Sequence, residues 1–210
     1  MSHKKNLSVI KYRHKIRSKL LTLFENKCVI CGYDKSTWAL HFHHTSPAEK
    51  LFSISGKGII KSWERVYEEA QKCILICSNC HRKIHINEAH KINTKDKLYK
   101  ECPTHGLAPF YTYQKRGKSV HYCCFCVLER QKTRRLALKK SLAESLGGKC
   151  SDCSETDINV LDFHHNKDKK YRISNIISSP KKSWAEVKKC ILLCSNCHHA
   201  RHQEMYKRKE

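Results

Sequence analysis

Four Cys-x-x-Cys pairs, arranged as two matched sets, constrain this chain more than any other feature. The first set is Cys28-Val-Ile-Cys31 with Cys77-Ser-Asn-Cys80, and the second is Cys150-Ser-Asp-Cys153 with Cys194-Ser-Asn-Cys197. Within each set 45 and 40 residues separate the two pairs. A tight turn presents two thiolates at once, and two such turns close a tetrahedral site of the kind Zn²⁺ prefers. The fold must then bring both turns to one point. A basic module of this size buries too little apolar surface to stand alone, and metal supplies what its core lacks.

Two rival uses of these cysteines are weaker. Disulfides need an oxidising compartment, yet the N-terminus MSHKKNLSVIKYRHK has neither an apolar run nor a cleavage site. The expected location is therefore the cytoplasm, and no run approaches a membrane span. Haem attachment would use Cys77-Ser-Asn-Cys80-His81 and its copy, but would leave the upstream pairs and the paired histidines unexplained. The only methionines are Met1 and Met205, so sulfur axial ligands are scarce.

The cysteine sets belong to an internal repeat. Leu40-His41-Phe42-His43-His44 matches Leu161-Asp162-Phe163-His164-His165, Ser62-Trp63 matches Ser183-Trp184, and Lys72-Cys73-Ile-Leu-Ile-Cys77 matches Lys189-Cys190-Ile-Leu-Leu-Cys194. The second His lies 19 residues before the Trp in both copies; the Trp lies 10 residues before the repeated Cys in one and 6 in the other. About one helical turn is missing there. Upstream, Ile16, Leu20, Leu23 and Phe24 have amphipathic-helix spacing, as do Leu138, Leu142, Ser145 and Leu146. Cys73 and Cys190 sit in apolar runs and read as small buried residues.

The expected domains are residues 1–99 with a leading basic helix, 100–128, and 129–210 with its own basic helix. The middle segment places Cys102-Pro-Thr-His105-Gly106 before a Tyr-rich stretch and Cys123-Cys124-Phe-Cys126. This predicts a hairpin holding a third zinc through Cys102, His105, Cys123 and Cys126. Cys124 could replace Cys123 only with tighter spacing.

The 42 basic and 19 acidic residues give a charge of +23, and each segment is basic: 19 against 8, 4 against 1 and 19 against 10. Such an excess suits a polyanion such as nucleic acid. Arg130, Arg134 and Arg135 lie in one basic helix, and Lys11, Arg13, Lys15, Arg17 and Lys19 in another. Arg82, Lys83 and Arg201 lie beside the second cysteine pairs and are candidates to meet a DNA strand. Helical cations of this kind contact phosphates and set register.

The histidines add chemistry. Strand alternation puts Leu40 and Phe42 on one face, His43 on the other, and His44 opposite His43 unless the strand ends there. The pair therefore divides its work, one residue on a metal and one on substrate. His81 and His85 share a helical face at i, i+4, as do His198 and His202. Imidazole titrates near neutral pH, which suits general-base work.

CxxC, a strand ending FHH, and LxCxNCHxxxH on a helix resemble the HNH nucleases, and more closely their zinc-framed subgroup common in bacteriophages. CPTHG…CCFC, followed by a basic helix and GGKC, is similar to the segment preceding the HNH module there. The resemblance spans most of residues 8–206. It implies an α+β fold: two small zinc-stabilised ββα-metal modules joined by a short zinc-ribbon-like hairpin, with about three structural Zn²⁺. It implies that His43, His81 and His85, and His164, His198 and His202, hold one Mg²⁺ or other divalent ion per module. His44 and His165 would be the general bases in hydrolysis of a phosphodiester. Double-stranded DNA is the implied substrate, with two sites in a monomeric pseudo-dimer able to cut both strands, in a host cytoplasm if phage-encoded. The family's middle Asn is replaced by Lys72 and Lys189; Asn79 and Asn196 either substitute for it or shape the turn. The alternatives are a zinc-dependent DNA-binding or regulatory protein, and a nickase with one active copy.

Overall fold

The computed structural model describes residues 2–55, 58–86 and 97–207, with side chains at the helical ends described from 8 to 204. Positions 1, 56–57, 87–96 and 208–210 fall inside the expected domains but outside the described residues. The chain is α+β and divides into two compact units: Met1–Ile86 with Cys150–Asp162 and Leu193–Glu210, and Asn87–Lys149 with Phe163–Leu192. No helix among the described residues is long and apolar enough to cross a membrane.

In the first unit, helix α1 (Ser2–Leu23) leads to strand β1 (Leu40–His44), helix α2 (Trp63–Gln71), strand β2 (Cys73–Cys77) and helix α3 (Ser78–His85). β1 and β2 pair antiparallel, Leu40 opposite Cys77 and His44 opposite Cys73. Where they face the helices the strands are apolar, through Leu40 and Phe42 of β1 and Cys73, Leu75 and Ile76 of β2. Ile16 and Leu20 of α1, Val66 and Ala70 of α2, and Cys73 share one core cluster, edged by Phe24, Phe42 and Trp63. A second cluster joins Leu21, Leu40, Leu75 and Ile76 to Cys28, Cys77 and Cys80. The apolar stripe of α1 is thus shifted at one position: Leu21 is buried and Leu23 is 54% exposed. Leu23 closes the helix, where the chain turns through Glu25 and Asn26 at positive φ, and its side chain no longer follows the buried stripe.

Two cations of the basic stretch of α1 are committed to the fold. Arg17 donates to the carbonyls of Thr37 and Leu40 at 2.8 and 2.6 Å, and Lys19 lies 3.7 Å from the centre of the Trp63 ring.

The second unit contains strands β3 (Leu98–Cys102), β4 (Gly106–Lys115) and β5 (Lys118–Cys123), helix α4 (Cys124–Glu144), and helices α5 (Ile173–Ile176) and α6 (Pro180–Val187). The expected hairpin is a three-stranded antiparallel sheet in the order β3-β4-β5, taking in Leu98–Lys100 upstream. α4 starts directly at Cys124 and runs unbroken into the basic segment, so knuckle and basic helix are one element. Leu142 of α4, Ile173, Ile177, Val187 and Cys190 form the core here. The missing turn after Trp184 does not shorten the helix much, because α6 begins four residues before that Trp, at Pro180. Ser183 is buried and donates to the Ile176 carbonyl at 2.9 Å, while Trp184 is left exposed. Strand β6 (Leu161–His165) pairs with β7 (Cys190–Cys194), and helix α7 (Ser195–Lys207) follows.

Candidate metal centres

Each cysteine set converges. The ligand atoms of Cys28, Cys31, Cys77 and Cys80 lie within 4.8 Å of one another, as do those of Cys150, Cys153, Cys194 and Cys197, and those of Cys102, His105, Cys123 and Cys126. All fourteen cysteines are free thiols. The Sγ···Sγ separations are 3.7 Å for Cys31–Cys77, 3.6 Å for Cys153–Cys194 and 3.6 Å for Cys102–Cys126. A zinc ion with thiolates at about 2.3 Å sets tetrahedral edges of about 3.8 Å, so the donor spacing fits Zn²⁺ and not a disulfide. His105 Nδ1 completes the third set, 3.3 to 3.8 Å from the three sulfurs. Cys124 is buried outside this group.

The turns that present these ligands share one backbone device. The residue after the second ligand has positive φ in all three: Gly32 at 72°, Gly106 at 60° and Ser154 at 61°. The chain must reverse there to leave both side chains on one side, which glycine does without steric cost. The second half of each four-cysteine site is a helix start. Cys77 caps α3 by accepting from the Cys80 amide at 3.5 Å, and Cys194 accepts from the Cys197 amide at 3.4 Å. Cys73 and Cys190 stand apart: burial, followed by Glu69 and Glu186, pushes each thiol up to about 11, so they stay protonated.

The histidines form two further groups of ligand nitrogens within 4.8 Å: His43, His81 and His85, and His164, His198 and His202. In the first, the His43 ring centre lies 5.1 Å from His81 and 5.0 Å from His85. His198 and His202 bring their Nε2 atoms to 3.1 Å, close to the edge of about 3.3 Å for imidazoles at about 2.1 Å from a tetrahedral ion. Three imidazoles without a carboxylate suit Zn²⁺ or another transition ion; Mg²⁺ prefers oxygen donors, so this ligand set does not fit it.

His44 turns to the opposite face of β1, as alternation requires, and is buried. Its Nε2 lies 2.8 Å from Glu69 Oε1. Glu69 is 1% exposed yet fully engaged: it accepts from the Leu51 and Phe52 amides at 2.8 and 3.2 Å and from Lys72 Nζ at 2.9 Å. Burial pushes this carboxyl up, but Lys72, His44 and the two amides outweigh it and hold it at about 2. The second copy repeats the arrangement. Glu186 accepts from the Lys170 and Tyr171 amides at 2.7 and 3.1 Å and pairs with Lys189 at 3.1 Å. His165 Nε2 lies 3.2 Å from Glu186 Oε1, buried and out of hydrogen-bond alignment. Burial lowers the His165 pKa.

The sequence alone does not single out Glu69 and Glu186. The signal was there, since both stand four residues before the repeated Cys73 and Cys190, but nothing local shows that a carboxylate in an exposed-looking helix turns inward. Glu69→Gln should keep both amide bonds and lose the charge facing Lys72 and His44, costing about 2 kcal/mol in urea unfolding. Because the folded carboxyl lies below its unfolded value of 4.5, its contribution is complete above that value and lost as pH falls toward 2. The wild-type-minus-variant difference should therefore shrink as pH falls from about 4.5 toward about 2. A difference that stays constant across that acid range would mean the carboxylate is not the ionised partner.

The candidate DNA-contact residues divide. Arg82 makes a bidentate pair with Asp162 at 2.9 and 2.7 Å, Lys83 lies 3.4 Å from Asp157, and Arg201 grips Asp152 with two nitrogens. Arg130 and Arg134 are exposed on α4, and Arg135, also exposed, donates to the Ser174 carbonyl at 3.2 Å. Asn79 and Asn196 pair reciprocally: each side chain accepts the other's amide, at 3.0 and 3.1 Å. They join the starts of α3 and α7. His41 stacks edge-on against His199 with centres 5.2 Å apart, and burial, then His199, His81, Arg17 and Arg82, lowers the His41 pKa to about 4.

The chain has no significant match among protein-family models, curated proteins or solved structures.

Proposed function

We propose that this chain is a metal-dependent DNA endonuclease of the HNH type, with two zinc-framed ββα-metal modules in one polypeptide. The observation that carries the reading is the divergence of adjacent histidines: His43 joins His81 and His85, while His44 faces the ionised Glu69. A ligand group and, from the next residue of the same strand, a carboxylate-held imidazole are the two parts that phosphodiester hydrolysis needs.

The chain's own groups have definite parts in it. Glu69, kept ionised, accepts a hydrogen bond from the Nε2–H of His44, which leaves the lone pair on Nδ1. That nitrogen takes the proton from an attacking water. His165 and Glu186 do the same in the second copy. His43, His81 and His85 would hold a transition ion, as would His164, His198 and His202, and such an ion when bound supplies Lewis acidity at the scissile phosphate. Arg130, Arg134 and Arg135 grip the duplex backbone, whereas Arg82, Lys83 and Arg201 are occupied by acidic partners and act mainly on the fold.

A second reading, a zinc-dependent DNA-binding protein that does not cut, draws support from the burial of His44 and from the use of Glu69 to hold the Leu51–Phe52 backbone. Incubation of zinc-loaded protein with supercoiled plasmid separates them. Cleavage is expected with Zn²⁺, Mn²⁺ or Ni²⁺ added at stoichiometric levels and weak cleavage with Mg²⁺ alone. Binding without cleavage under every ion would favour the second reading.

A further inference from the structure

The three-stranded sheet has one face that the cysteine group does not use and that is covered only in part, with Pro109 buried and Tyr111 half-buried against Cys124. Alternation along β4 puts Ala108 and Phe110 with Cys102 and Cys123 on the side of the metal group. The other side collects Tyr99 opposite Pro109, Tyr111 opposite Tyr122, Tyr113 opposite Val120, and Lys115 opposite Lys118. Four tyrosines therefore share a face. Tyr99, Tyr113 and Tyr122 are 50%, 53% and 39% exposed. Tyr113 lies 6.2 Å from Tyr111 and 6.1 Å from Tyr122 between ring centres. Lys97 Nζ sits 4.2 Å from the centre of the Tyr111 ring.

Cross-strand ring contacts account for part of this composition, but not for the exposure of Tyr99, Tyr113 and Tyr122. A solvent-facing sheet surface is ordinarily polar, and exposed rings in a row mark a contact surface. The charge identifies the partner. On the tyrosine face Lys115 and Lys118 sit opposite one another, with Arg116 in the turn between them and Lys97 over Tyr111, against the one acid Glu101; Lys100 lies with Ala108 on the other face. Rings that offer π-faces, edged by lysines that can follow a phosphate chain, suit unpaired bases and discriminate little among them. Duplex DNA hides its base faces in the stack, so it can use the lysines and not the rings. A second copy of the chain would oppose lysines to lysines.

We infer that the tyrosine face of the β3–β5 sheet is a binding platform for single-stranded DNA, with Tyr113 and Tyr122 stacking on bases and Lys115 and Lys118 holding phosphates. The site does not require cleavage chemistry. It would engage a strand freed from its complement while the basic helix α4 holds duplex.

Fluorescence anisotropy of the full-length, zinc-loaded protein with labelled oligo-dT of about 20 nucleotides, without catalytic divalent salt, tests this. Tyr113→Ala with Tyr122→Ala should weaken oligo-dT binding at least about tenfold, and Tyr113→Phe with Tyr122→Phe should retain it within about twofold. Duplex affinity should move less than about twofold in both. Lys115→Gln with Lys118→Gln should flatten the log–log salt dependence for oligo-dT by about 1.4. Zinc content and circular dichroism establish that the variants are folded. Unchanged oligo-dT affinity in the folded alanine variant overturns the proposal. So does equal loss for oligo-dT and duplex, or an alanine variant that alters only the sedimentation of the protein, which would make the face a contact between copies. Failure of the wild type to cut DNA would overturn the nuclease reading and leave this result standing.

Discussion

Removing zinc should unfold this chain rather than merely inactivate it. The first four-cysteine group is part of the core: Cys28, Cys77 and Cys80 pack with Leu21, Leu40, Leu75 and Ile76 in one cluster. Without metal those sulfurs are either four thiols crowded at van der Waals distance or mutually repelling thiolates. Structural zinc contributes on the order of 10 kcal/mol to small modules of this kind, more than the total stability of many domains. A strong chelator, or a mercurial that competes for the thiolates, should release about three Zn²⁺ per chain, with loss of cooperative thermal unfolding. Cys77→Ser should approach the same result alone, since Cys77 is fully buried, ends β2 and caps α3. Cys31→Ser should be milder because Cys31 is exposed. Cys73→Ser, which alters a buried cysteine outside every ligand group, should cost only about 1–3 kcal/mol and leave the zinc content unchanged. A protein that keeps its melting transition after chelation, or that purifies without zinc, would sink this assignment.

The three cysteine-based groups were legible because their information is local. A CxxC turn is specified by four residues and the one after it, and the repeat supplied the partner turn. The divergence of His43 from His44 was legible for a similar reason, since strand alternation alone requires it. What lay beyond the sequence depended on distant segments. Glu69 reaches His44 across 25 residues, and Asn79 meets Asn196 across 117. Periodicity constrains which face a residue takes, not which carboxylate will be waiting there. The basic residues show the same limit. Arg17, Arg82 and Arg201 add to the net charge as Arg130 and Arg134 do, yet the first three are held by carbonyls or carboxylates of the chain. Charge counting gives the net sign and does not tell which cations are already held by the fold.

The two copies are built alike around their candidate bases, and the difference between them predicts unequal cutting. Plasmid nicking and linearisation should report it directly. In the first copy His44 is aligned with Glu69 at 2.8 Å; in the second, His165 lies 3.2 Å from Glu186 without alignment, and burial lowers its pKa. Loss of a general base costs about 10²- to 10⁴-fold, so His44→Ala and His165→Ala should each abolish linearisation while leaving a nickase. The residual nicking should be faster in His165→Ala, which keeps the aligned pair, than in His44→Ala. His44→Ala with His165→Ala should be inactive and still bind duplex, because neither residue belongs to the cysteine groups or to the basic face of α4. Glu69→Gln should mimic a partial loss of the first copy, lowering turnover more than duplex affinity, since the amide still holds Leu51 and Phe52 but no longer fixes the His44 tautomer. If one alanine substitution stops all cleavage and the other changes nothing, only one copy cuts and its partner serves to grip. If neither changes cleavage, the imidazole next to the ligand group is not the base, and the buried His–Glu pair is a strut for the loop after β1.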